Sequence, residues 1–148
     1  MWDESAAAAF LPLLPDGHGL PGMNFEELTA VLRDPAVRLL LAEEDGATLG
    51  YTAFGSSRDD DVPPDVGEVR TFFVRPHAWR HGVGSALMAR ALGELVEMGY
   101  HHATVWSFAD NTRANAFYEH HGFERDGAEQ REDVWAGLLE VRYRRPTI

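Results

Sequence analysis

The sequence predicts a mixed α/β or α+β domain, and three observations carry that expectation. First, "VRLLLAEEDGATLGYTAFG" places two runs of strand-forming residues on either side of Asp45-Gly46, a hairpin turn signal. Second, residues 82–98 repeat apolar side chains at helical spacing: Val83, Leu87, Ala91, Leu95 and Met98 form one stripe. Third, the chain has 148 residues, 45% of them hydrophobic, enough for one domain with a single core.

The elements follow in order. Residues 5–14 and 24–33 read as two short helices, the second with Phe25, Leu28 and Leu32 on one face and Asn24 as N-cap. "PDGHGLPG" between them is a loop. The hairpin comes next. "SRDDDVPPDVG", with three consecutive aspartates and two prolines, reads as a solvated loop, and "EVRTFFV" as a strand of β-branched and aromatic residues. After the long helix, "HATVWSF" is a short strand. "DNTRANAFYEHHG" is a helix capped by Asp110 or Asn111 and stopped by Gly122. "GFERDG" and "LLEVRYRR" are two last strands joined by the irregular "AEQREDVWAG", with Arg142 and Arg144 expected on the surface. No repeat or linker divides the chain, so residues 1–148 are expected to form a single domain.

Composition excludes several functions. All 13 basic residues are arginine, which removes a Walker A loop and a Schiff-base lysine. There is no cysteine, hence no disulfide, thiolate nucleophile or cysteine zinc site. Seven histidines include the pairs His101-His102 and His120-His121, but no ligand spacing joins them, and no metal site is expected. A net charge of −11 argues against nucleic-acid binding; it fits a solubilising surface and also long-range steering of a cationic substrate. No apolar run is long enough to span a membrane and the first residues are acidic, so a cytoplasmic protein with no membrane partner is expected.

Gly82 and Gly84 open the long helix after a strand. Unpaired amides and the dipole at a helix N-terminus suit an anion, and glycine lets the backbone approach it. The same glycines also fit a tight turn without ligand. A dinucleotide fingerprint would need Gly or Ala where Leu87 stands and an acidic residue in "YHHATVW", and has neither.

"FFVRPHAWRHGVGSALM", followed 27 residues after Gly84 by "NTRANAFYEHHGF", resembles the two signature segments of the GCN5-related N-acetyltransferases (GNAT). The resemblance runs from about Val37 to Arg145 and rests on the glycine loop together with Asn111, Tyr118 and Gly122-Phe123. It departs at Trp79, where the family carries Gln or Arg, and at Arg80, where many members carry Gly. Members also open with a strand ahead of the first helix. Here that strand is absent or the start is shortened, which leaves one sheet edge open.

The resemblance implies a central mixed, mostly antiparallel sheet flanked by helices, and transfer of an acetyl group from acetyl-CoA, the acyl donor, to a primary amine of a small molecule or peptide. It implies that the backbone of Arg80, His81, Gly82, Val83, Gly84, Ser85 and Ala86 binds the pyrophosphate. Phe72, Phe73 and Val74 would line the acyl and pantetheine arm, with Asn111 and Phe117 beside it. Tyr118 would be the general acid for the sulfur; its spacing alone also fits a core tyrosine. Glu68 would be the base, or else an exposed carboxylate at the strand end. The glutamate that ribosomal-protein acetyltransferases carry five residues before the Asn is replaced by Trp106. "PDGHGLPG" and "AEQREDVWAG" would wall the acceptor side, where Asp133 and Trp135 suit a cationic or amphipathic amine. A homodimer is implied as well. The alternative is an acyl-CoA-binding sensor or regulatory module without catalysis.

Overall fold

The computed structural model describes residues 29–31 and 33–148, together with Leu13. The expected helix at 5–14, most of that at 24–33, the "PDGHGLPG" loop and the question of an opening strand lie outside the described residues. Residues 29–31 and 33 are helical.

Six strands form one sheet: β1 (Val37–Glu44), β2 (Ala47–Ser56), β3 (Val66–Val74), β4 (His102–Phe108), β5 (Glu124–Gln130) and β6 (Glu140–Pro146). Their spatial order is β1-β2-β3-β4-β6-β5, and β3–β4 is the parallel pair in an otherwise antiparallel sheet. The expected mixed, mostly antiparallel architecture is therefore observed. Asp45 (φ 50°) and Gly46 (φ 79°) both turn left-handed, as a tight hairpin between strands of right-handed twist requires. Two helices follow the sequence pattern, α1 (Val83–Glu97) and α2 (Thr112–His120).

Strand alternation sorts the side chains onto two faces. Val69, Val105, Val141 and Tyr143 meet Met88, Ala91 and Leu95 of α1 and Tyr118 of α2 in one core. Glu68, Thr104, Trp106, Glu140 and Arg142 occupy alternate positions and point to the opposite face. That face holds a charge cluster which the sequence reading placed in solvent. Arg142 is 5% exposed. It donates to Asp61 at 2.7 and 2.8 Å, to Asp59 at 3.2 Å and to Asp126 at 2.6 Å. The expectation of a surface Arg142 and a wholly solvated aspartate loop is thus corrected. The loop aspartates fold over this face of β6 and bind Arg142, while Arg144, two residues on, is only part-buried.

Candidate active site

β3 and β4 pair only from Val66–His102 to Val69–Val105. β3 then runs on to Val74 and β4 to Phe108 without bonding to each other. The divergence begins at a bulge: Ala53 pairs Thr71 and Phe54 pairs Val69, leaving Arg70 as the extra residue. A bulge bends its strand. Arg70 is pinned by bonds from Nε and Nη2 to the Ser56 carbonyl at 3.1 and 2.7 Å. The parted strands open a cleft of about 1390 Å³ lined by side chains from both faces of the sheet, so the sheet is breached and can be approached from either side.

On the helix side, the cleft reaches the start of α1. Gly82, the N-cap, has φ 83° and nothing within 4 Å of where a Cβ would sit. Arg80 is left-handed as well, at φ 63°. No side chain caps the helix and no acidic residue stands in its first turn, which leaves the amides of Val83, Gly84 and Ser85 for an anion. The amide of Ala86 is already spent on the Gly82 carbonyl at 3.0 Å. Ala86 is therefore corrected from an anion donor to a residue closing the first helical turn. The side chains of His81, Val83 and Ala86 do not line the cleft, whereas Arg80, Gly82, Gly84 and Ser85 do. Gly84 is small for a packing reason too: a Cβ there would lie 3.1 Å from Phe117 and 3.8 Å from Phe72.

Phe72, Phe73, Val74, Asn111 and Phe117 all line the cleft. Phe72 and Phe117 pack 5.3 Å apart, joining β3 to α2. Asn111 is the N-cap of α2, its side chain accepting from Ala114 N at 3.3 Å. Trp79 does not substitute for a phosphate ligand: its indole N–H donates to the Val74 carbonyl at 2.8 Å. Arg113 instead stacks over the Trp79 ring at 3.8 Å and lines the cleft. The sequence reading missed Arg113, although its place in the first turn of the helix that carries Tyr118 was available as a signal.

Tyr118 is 7% exposed, lines the cleft, and makes no hydrogen bond through its hydroxyl among the described residues. Burial pushes its pKa well above the ordinary phenol value, so the proton is retained at neutral pH. Asn115 anchors the helix beneath it. Its amide donates to the Phe108 and Ala109 carbonyls at 3.2 and 3.0 Å, and its oxygen accepts from Ser107 at 2.7 Å. Glu68 is 1% exposed, which corrects the alternative of an exposed strand-end carboxylate. Arg58 holds it from three donors: the backbone N at 2.9 Å, Nε at 3.3 Å and Nη2 at 2.6 Å. Glu68 and Tyr118 thus lie on opposite faces of the sheet with the cleft open to both.

A cleft between parting strands, ending at an uncapped glycine-led helix, has the shape and the free amides to take an elongated ligand with an anionic end. Residues 4–123 match the acetyltransferase (GNAT) family, and the chain belongs to it. It is an N-acetyltransferase-type enzyme of that family. A probable N-acetyltransferase of Mycobacterium tuberculosis is 30% identical over 142 residues, covering 95% of this chain and 76% of that one. A mycothiol acetyltransferase of Pseudarthrobacter chlorophenolicus is 34% identical over 92 residues, 62% of this chain; the match spans only 28% of that enzyme's length. The PaiA N-acetyltransferase of Thermoplasma acidophilum, solved in complex with coenzyme A, superposes with a TM-score of 0.70 at 12% identity, covering 95% of this chain and 86% of that one, and so shares the fold.

Proposed function

We propose that the protein transfers the acetyl group of acetyl-CoA to a primary amine of a small molecule or peptide, by direct attack and with Tyr118 as general acid. The observation that carries this reading is the position of Tyr118: buried, lining the cleft, and with no hydrogen bond from its hydroxyl among the described residues. The donor's pyrophosphate rests on the amides of Val83, Gly84 and Ser85, with Arg80 and Arg113 supplying positive charge. Its pantetheine arm lies along Phe72–Val74, beyond the last β3–β4 pair, Val69–Val105. The thioester then sits in the breach between the faces. As the C–S bond breaks, the departing thiolate takes the Tyr118 proton. Glu68, saturated by Arg58, serves to position that arginine and not as a base.

The test is CoA thiol release by the wild type and by Tyr118→Phe. The variant is expected to lose about 100-fold or more in kcat while binding acetyl-CoA unchanged. Equal turnover by the two proteins would remove Tyr118 from the mechanism.

A further inference from the structure

The face opposite the helices carries an imbalance of charge that the donor does not use. Asp59, Asp61 and Asp126 share the single guanidinium of Arg142, and Glu68 is paired with Arg58. Glu132 and Glu140 remain. Both line the cleft, and among the described residues neither has an ion-pair partner. Glu140 is 8% exposed. Its Oε2 accepts one long hydrogen bond, 3.4 Å from Gln130 Nε2, and the carboxyl is also hydrogen-bonded to the Glu132 side chain. A carboxylate more than nine-tenths buried beside a second one is costly unless a cation completes the site.

The register places Glu140 beside the end of the parted β4. Glu140 is the direct strand partner of Phe108, the last residue of the parted β4. Phe108 in turn meets Trp135 edge-on at 5.1 Å. An aromatic wall beside two unneutralised carboxylates suits an ammonium group on an apolar stem. The charge of Arg58 reaches Glu140, but its guanidinium is engaged by Glu68.

We propose that Glu132 and Glu140 form the acceptor subsite, capturing the substrate's primary ammonium, and that Glu140 takes its proton to free the attacking amine. This rests on the acetyl-transfer reading above and names its base and substrate class. The ammonium gives one proton to Glu140 and through it to solvent. The amine nitrogen bonds the thioester carbonyl carbon, the C–S bond breaks, and the thiolate is protonated by Tyr118. Tyr118 is reprotonated by the second proton leaving nitrogen, so one proton is released per turnover. An amine with a neighbouring carboxylate is repelled by the pair.

The geometry agrees with the titration. Burial, followed by the charge of Glu132, raises the Glu140 pKa to about 7, with Gln130 and Arg58 pulling the other way. Of the other charged groups described on this face, Glu68 is paired with Arg58, and Asp59, Asp61 and Asp126 with Arg142.

The test compares thiol release from acetyl-CoA with tryptamine, spermidine and tryptophan, between roughly pH 5.5 and 9, for wild type, Glu140→Gln and Glu132→Gln. Calorimetry of acetyl-CoA binding is run alongside. Tryptamine or spermidine is expected to exceed tryptophan about tenfold or more in kcat/KM. The wild type should show an acid limb near neutrality. Glu140→Gln should abolish that limb and lower kcat/KM by about 100-fold. Glu132→Gln should move it to lower pH, with acetyl-CoA affinity unchanged in both. Equal use of tryptophan, or an unaltered limb in Glu140→Gln, overturns the proposal. So does acetyl-CoA binding without turnover of any of the three amines, which leaves the donor site standing. Failure of the wild type to bind acetyl-CoA overturns the acetyl-transfer reading itself.

Discussion

Tyr118 and Glu68 show how two residues of similar promise in the sequence separate once their neighbours are known. Tyr118 comes two helical turns after Asn111, and that interval was enough to mark it. Its burial among Phe117, Phe123 and Tyr143, at ring distances of 5.7 to 6.0 Å, is what keeps the phenol protonated. Glu68 was visible as a carboxylate in a strand. Its partner Arg58 was not, because the pair spans ten residues across a proline-rich loop whose path the local pattern does not encode. Arg58→Met should therefore strip Glu68 of its two guanidinium hydrogen bonds, keep the one from the backbone N–H of residue 58, and leave a buried carboxylate without its counter-ion. A loss of about 3 kcal/mol or more is expected in urea unfolding. An unchanged midpoint would show that the pair contributes nothing.

At the scale of elements, the site depends on two local devices: the bulge at Arg70 and the glycine-led start of α1. The sequence disclosed the second and concealed the first. Gly-x-Gly ahead of an apolar helical stripe is a local signal, whereas a bulge arises from register against β2, which no single strand specifies. Gly84 gives a direct check. Gly84→Val would press side-chain carbons onto Phe117, which already lies 3.1 Å from an added Cβ. Acetyl-CoA affinity should fall about tenfold or more, with little change in the far-ultraviolet circular dichroism. The Arg142 cluster ties three separated segments, the aspartate loop, β5 and β6. The hydrogen bonds from Arg142 hold the Asp61 carboxyl below its ordinary pKa, so its ionised form is favoured by folding. Its contribution is present above the unfolded carboxylate range and lost as pH falls through the depressed folded value. Arg142→Met should accordingly lower the thermal midpoint more at pH 7 than in acid, as a pH series of melts would read.

Over the whole molecule, charge is arranged for traffic of opposite sign to the two sides of one opening. Arg80, Arg113 and the α1 amides suit the anionic donor. Glu132 and Glu140 suit a cation arriving from the other face, where the net charge of −11 would also steer it. The sequence made the donor half legible, since strand, glycine loop and helix follow one another along the chain. The acceptor half was only hinted at by Asp133 and Trp135. Its two carboxylates come from a loop and the start of β6, and their lack of counter-ions emerges only after every arginine has been placed. The raised Glu140 pKa carries its own consequence for the fold. Stability from this group is full below the unfolded carboxylate range and is lost as pH rises through about 7, so Glu140→Gln should raise the thermal midpoint at pH 8 relative to wild type and much less at pH 5.

The measurement closest to the central claim is isothermal titration of the protein with acetyl-CoA, with NAD as the comparison ligand. Saturable binding of acetyl-CoA at one site per chain, weakened in Gly84→Val and absent for NAD, is the predicted result. No heat with acetyl-CoA, or equal binding of NAD, would mean that the parted strands and the glycine-led helix do not form a donor site.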